Sequence, residues 1–93
     1  MNLPVNYSNL NNKDKRAVRE EYIKLQNGKC YYCGEPLDKR ASSNIRCQAI
    51  DVKLFPKGFF NYPIHLHHNH NTGMTIGAVH CYCNAVMWQY DDE

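Results

Sequence analysis

The chain has 93 residues, of which 43% are hydrophobic and 22% charged, with a net charge of +2 and a mean hydropathy of −0.67. This length sets one small domain, residues 1–93, of a size that often needs a staple, and it leaves no stretch apolar enough to span a membrane. The near-neutral total is uneven, because Asp91, Asp92 and Glu93 offset a cationic front that holds Lys13, Lys15, Arg16, Arg19, Lys24 and Lys29.

Residues 1–11 are polar, Asn-rich and without periodicity, which predicts a loose arm. No apolar leader stands there, so the expectation is an intracellular, cytoplasmic chain with reduced thiols. A helix is predicted over 13–26, capped by Asn12, with Val18, Tyr22 and Leu25 on one face and Ile23 at its flank. Asn27-Gly28 ends it, with Gly28 suited to the left-handed position. Its early lysines and arginines oppose the helix dipole.

Lys29 to Leu37 holds Cys30-Tyr31-Tyr32-Cys33 and the turn Gly34-Glu35-Pro36. Partial alternation through Cys47, Ala49 or Ile50, Val52 and Leu54 predicts a strand over 46–55, and Pro56-Lys57-Gly58 a turn. A lone cysteine in such a strand, Cys47, is expected to pack in the core. Phe59, Phe60, Tyr62 and Ile64 lead into the histidine cluster, most simply as a second strand. Gly73 and Gly77 punctuate a hairpin-like return, and Asn84 to Tyr90 reads as a helix with Ala85, Val86, Met87 and Trp88 available for burial. The fold class is therefore α+β, an N-terminal helix followed by a ββα core over 30–90. Such a unit sets a strand end beside a helix N-terminus.

Five cysteines, an odd number, argue against a complete disulfide framework. Cys30 and Cys33 have the spacing of half a structural zinc site. The second half is either His80 with Cys83, at the same spacing, or Cys81 with Cys83, one residue tighter. The first pairing is favoured because an i, i+3 pair converges readily on one ion from a turn. Zinc binding would then contribute to folding itself.

Four of the five histidines fall in His65-Leu66-His67-His68-Asn69-His70. Phosphodiester hydrolysis needs an activated water and positive charge beside the phosphate and the leaving oxygen. Neighbours on a strand point to opposite sides, so of His67 and His68 one can hold a cation while the other faces water. A neutral imidazole is a suitable base near pH 7. No Asp or Glu lies within ten residues of His68, so imidazoles and the Asn84 amide must act as ligands. Simpler roles stand beside these: His65 packed next to the site, His70 orienting the loop, Asn69 shaping the turn, and Asn84 capping the last helix.

The run from His65 to Asn84 resembles the HNH (ββα-metal) nucleases, most closely the phage recombination endonuclease VII group. That group carries a His-x-Asp-His-x-His stretch, then Thr-Gly, a Gly and a Cys-x-x-Cys-Asn knuckle. His65 to His70, Thr72-Gly73, Gly77 and His80-x-x-Cys83-Asn84 match in order. Gly28-Lys29-Cys30-Tyr31-Tyr32-Cys33-Gly34 resembles the group's first zinc knuckle. The resemblance covers roughly residues 13–90. It implies a metal-dependent DNA endonuclease with His68 as general base, His67 and Asn84 as ligands of a catalytic Mg²⁺ or Mn²⁺, His70 near the scissile phosphate, and structural Zn²⁺ on Cys30, Cys33, His80 and Cys83. It also implies a phage-type setting inside a host cell. Two positions depart from the group: His67 replaces its Asp, and His80 replaces the knuckle's first Cys. Met87 stands where the group can carry a further acid.

Candidate DNA-backbone contacts are Lys15, Arg16 and Arg19 on the helix and Arg46, Lys53 and Lys57 on the following segments. One site per chain cuts both strands only through a homodimer or two sequential nicks. The alternative reading is a zinc-stabilised nucleic-acid-binding module without catalysis, which needs the cysteines but not His68. A zinc deaminase is excluded by the missing His-x-Glu and Pro-Cys-x-x-Cys motifs.

Overall fold

The computed structural model describes residues 2–91; Met1, Asp92 and Glu93, the last two part of the acidic end, lie outside the described residues. Helix α1 spans Asn12–Leu25. Its cap is Asn11, one residue earlier than expected, whose side chain accepts from the Asp14 N–H at 2.8 Å. Asp14 in the first turn offsets some of the cationic mismatch with the dipole. At the other end Gly28 is left-handed as expected, with φ 74°, joined by Asn27 with φ 56°, and the Gly28 N–H closes onto the Ile23 carbonyl at 2.8 Å.

Val18 and Tyr22 are buried as expected, but Leu25 is 64% exposed. The buried stripe turns instead toward Ile23 and Gln26. Gln26 works as a short piece of strand: the Ala78 N–H donates to its Oε1 at 2.9 Å, and its Nε2 donates to the Ala78 carbonyl at 2.9 Å and to the Lys29 carbonyl at 2.7 Å. That pairing pulls the Gln26 side of the helix end onto the sheet and leaves Leu25 in solvent.

The sheet has two antiparallel strands, β1 (Ile64–His68) and β2 (Thr75–His80). The register runs from Ile64 opposite His80 to His67 opposite Gly77, then shifts so that His68 faces Thr75. The extra residue, Ile76, makes a bulge beside the two adjacent histidines. In the connecting loop the Asn69 side chain accepts from the N–H groups of Asn71 and Thr72, so Asn69 does shape the turn. Gly77 has no room for a side chain, because a Cβ there would lie 2.7 Å from Gln26 Oε1 and 3.1 Å from Tyr31 Cβ. Helix α2 is the single turn Ser43–Arg46, and α3 is Cys81–Asp91, following β2 directly. Ala78, Val79, Cys83 and Ala85 are fully enclosed, with Val18, Leu37, Leu66, Val86 and Met87 packed around them. The architecture is α+β, with a ββα unit formed by β1, β2 and α3. No helix among the described residues is long and apolar enough to cross a membrane.

Two further expectations are overturned. Residues 46–55 form no strand: after α2 the chain makes a 3-10 turn at Val52–Leu54, and Cys47, Val52 and Leu54 are exposed. Its backbone groups pair with side chains of α3 instead. Gln89 receives the Asp51 N–H at 2.9 Å and donates to the Ala49 carbonyl at 2.8 Å, and the Tyr90 hydroxyl donates to the same carbonyl. Cys47 therefore has no core role. Phe59 to Asn61 likewise form a 3-10 turn, and β1 begins only at Ile64.

The N-terminal arm is docked rather than loose. The Thr75 N–H donates to the Val5 carbonyl at 2.8 Å, the Tyr7 N–H to the Gly73 carbonyl at 2.7 Å, and the Val5 N–H to Thr75 Oγ1 at 3.0 Å. Thr75 Oγ1 also hydrogen-bonds the buried Tyr22 hydroxyl at 2.9 Å, tying the arm, α1 and β2 at one point.

Replacing Gln26 by Ala leaves the enclosed Ala78 N–H without its acceptor and is expected to lower unfolding free energy by ~1–3 kcal/mol. Denaturant titration checks this, and an unchanged midpoint would contradict the strand-like role of Gln26.

Candidate metal centre and histidine cleft

The first site forms where the β2–α3 junction meets the Cys30 knuckle. The knuckle is a tight hairpin: the Cys30 N–H donates to the Glu35 carbonyl at 2.8 Å, the Gly34 N–H to the Cys30 carbonyl at 3.1 Å, and the Tyr32 N–H points at Cys30 Sγ at 3.4 Å. The donor atoms of Cys30, Cys33, His80 and Cys83 all lie within 4.8 Å of one another, so this Cys₃His group can hold a metal ion such as zinc. His80 Nδ1 is 3.4 Å from Cys33 Sγ and 3.6 Å from Cys83 Sγ. Tetrahedral zinc with N and S ligands sets such separations at about 3.6 Å.

His80 Nε2 donates to the Pro36 carbonyl at 2.9 Å, which fixes the ring and leaves Nδ1 as the ligand nitrogen. Cys81 is buried but lies outside the group, and burial raises its thiol pKa. Between the two pairings read from the sequence, the geometry therefore assembles His80 with Cys83. Within the group, a hydrogen bond from the Cys83 thiol holds Cys30 down to about 4. The same bond, with burial, pushes Cys83 up. A bound cation would favour the thiolate form of the cysteines in this group.

The second site is a cleft of about 990 Å³ along β1. Strand β1 contributes His65, His67 and His68; the arm and α1 contribute Tyr7, Lys13, Lys15, Arg16 and Arg19; the segment before β1 contributes Phe59 and Tyr62, α3 contributes Asn84 and Trp88, and His70 follows the strand end. All four clustered histidines and Asn84 thus share one cavity. The bulge after His67 explains how two adjacent strand residues both reach it.

Asn84 lies in the first turn of α3 rather than at its cap, directly after the Cys83 ligand position. Its Nδ2 is 3.1 Å from His65 Nδ1, and His65 Nε2 is 2.9 Å from the Phe59 carbonyl. The consistent assignment has Asn84 donating to Nδ1 and His65 donating from Nε2. His65 thus packs beside the site and orients Asn84, and burial lowers its pKa. Asn84 Oδ1 is buried with no hydrogen-bond partner among the described residues. His67 is 2% exposed and lines the same cavity. A buried amide oxygen with unused lone pairs, in a cavity also lined by the His67 imidazole, fits a divalent cation. The cleft histidines do not form a three-donor cluster like that of the cysteines. A cation there would have to complete its coordination with water or substrate oxygens.

His68 is stacked face to face on Tyr7, with ring centres 3.8 Å apart and planes 6° from parallel. Lys15 Nζ lies 4.3 Å from the Tyr7 ring centre. The edge of His70 meets His68 at 4.8 Å and Trp88 at 4.6 Å. Burial, and then the positive charge of a protonated His70, lower the His68 pKa. Met87 is buried in the core and adds nothing to the cleft.

Of the six basic residues proposed from sequence, Lys15, Arg16 and Arg19 line the cleft, while Lys53 and Lys57 do not. Arg46 donates from Nε to the Ala41 carbonyl at 3.0 Å and borders a separate depression that includes His80 and Cys81. Sequence reasoning missed Tyr7, Tyr62 and Phe59 as cleft residues. It assigned Trp88 to burial, whereas that ring is 43% exposed. No local spacing marks Tyr7, whose place depends on backbone bonds to the hairpin loop. Family models, curated proteins and solved structures were compared with the chain, and none matches it.

Metal analysis of the purified protein is expected to find about one tightly held zinc per chain. His80→Ala and Cys83→Ala should lose it and unfold at lower temperature, whereas Cys81→Ser should retain it. Zinc loss in the Cys81 variant with retention in the His80 variant would reverse the ligand assignment.

Proposed function

We propose that this chain is a metal-dependent DNA endonuclease of the HNH (ββα-metal) type. The observation that carries the reading is the convergence of His65, His67, His68, His70 and Asn84 with Lys15, Arg16 and Arg19 in one cleft. Cations on α1 suit a phosphodiester backbone, and the imidazoles suit proton transfer beside it.

His68 is the base. Stacking on Tyr7 fixes the plane of its ring, and its place in the cleft leaves it beside the position of a water. As that water attacks phosphorus, His68 takes its proton, the P–O3′ bond breaks, and the products are a 5′-phosphate and a 3′-hydroxyl. His67 and Asn84 Oδ1 are the residues that would hold a Mg²⁺ or Mn²⁺ ion; His65 keeps the amide turned for that purpose. Bound there, such an ion supplies positive charge beside the phosphate and leaving oxygen. His70, in ring contact with His68, would donate toward a phosphate oxygen or the leaving group. The Cys₃His group is structural, holding Asn84 in position through Cys83.

The test is cleavage of supercoiled plasmid with Mg²⁺ or Mn²⁺ against EDTA. Nicking should require the metal, and His68→Ala should lower the rate by roughly 10²–10⁴-fold with zinc content unchanged. Cleavage that persists in this variant would remove the base assignment. Absence of cleavage by the folded, zinc-loaded protein would favour a binding module.

The pH profile follows from His68. Its pKa lies below the ordinary 6.5, so the neutral, competent form persists to lower pH than for a free imidazole. The acid limb of kcat/KM should therefore have its midpoint below 6.5, the rate falling as pH drops through the lowered value. A midpoint above 6.5 would contradict the environment described for the ring.

A further inference from the structure

The cleft lining combines two chemically different sets of side chains. Lys13, Lys15, Arg16 and Arg19 come from α1, while Tyr62 comes from the segment just before β1 and Trp88 from α3. Tyr62 is 69% and Trp88 43% exposed, high values for rings of this size. Trp88 is nevertheless held: it meets the edge of His70 at 4.6 Å and stands edge-on to Phe55 at 6.4 Å. A partly open, oriented indole beside a row of cations is the arrangement that receives a polynucleotide with its bases turned out. In a duplex the base faces are covered by their neighbours, and only the backbone and groove edges can reach such rings.

We infer that the cleft takes a single-stranded or locally unpaired polynucleotide segment, its phosphates along Lys13, Lys15, Arg16 and Arg19 and its bases stacked on Trp88 and Tyr62. This rests on the reading of the cleft as a nucleic-acid site and adds the form of the strand it accepts. Because His70 lies between Trp88 and His68, the stacked bases sit immediately beside the phosphate presented to the base.

Trp88 is the only tryptophan, so its fluorescence reports the contact directly. The experiment titrates the zinc-loaded His68→Ala chain, which keeps the strand intact, with a short mixed-sequence DNA oligonucleotide and with its duplex. Binding is followed by Trp88 emission and by anisotropy of a labelled end. The single strand should quench Trp88 and bind more tightly than the duplex. Trp88→Ala and Tyr62→Ala should each weaken single-strand binding by roughly 5- to 150-fold, with Trp88→Phe retaining most of it. Tyr62 is a surface residue, so its variant keeps the test valid if Trp88→Ala disturbs His70.

Duplex binding as tight as single-strand binding, or aromatic variants without effect, would overturn the inference. Plasmid cleavage in that case would leave the endonuclease standing. Quenching and tight single-strand binding by a protein that cuts nothing would support the inference and remove only the hydrolytic step. No binding of either form would overturn both.

Discussion

Everything in the second half of the chain depends on the convergence of three thiols and one imidazole at the β2–α3 junction. There is no loop at that junction: β2 ends at His80 and α3 begins at Cys81. A strand passing directly into a helix has little to hold its angle except what its first turn touches. Here His80 and Cys83 face Cys30 and Cys33 within 4.8 Å, and His80 also binds the Pro36 carbonyl. For a core this small, a cation bound by that group would supply cross-linking that burial alone does not provide. Its effect on the cleft is immediate, because Asn84 is the next residue in the chain.

The other half of the cleft is fixed by hydrogen bonds. Tyr22, Thr75 and Val5 form a chain from α1 through β2 to the arm, and Gln26 completes the exposed edge of β2 at Ala78. These contacts set α1 and Tyr7 beside β1. Tyr7 thus reaches His68 not through any property of the histidine motif but through the backbone of the segment ahead of α1. The resulting stack, with Lys15 on the far face of the tyrosine system, joins the cationic helix to the proposed base.

Local patterns carried most of what was legible in the sequence. The Cys30 and His80 spacings, the hairpin with Gly73 and the helices at 13–26 and 84–90 each express their structure within a few residues, and all appear within a few residues of their expected bounds. What was not legible depends on partners distant in sequence. The alternation at 46–55 resembled a strand, but Gln89 and Tyr90 claimed its backbone groups. The Asn-rich arm showed no periodicity because its order comes from main-chain bonds to Gly73 and Thr75, which leave no side-chain signature. Leu25 and Trp88 looked like core residues by type. Their exposure reflects a helix end turned by Gln26 and a ring kept at the cleft edge by His70.

The central claim is that metal in the Cys₃His group holds the cleft together. The most direct measurement is nitrogen-15 NMR of the imidazoles while zinc is withdrawn by a chelator. The account requires His65, which is bonded to Asn84 beside Cys83, to lose its dispersed, fixed-tautomer signal in step with His80. A His65 that keeps its native shifts after zinc has left His80 would contradict it.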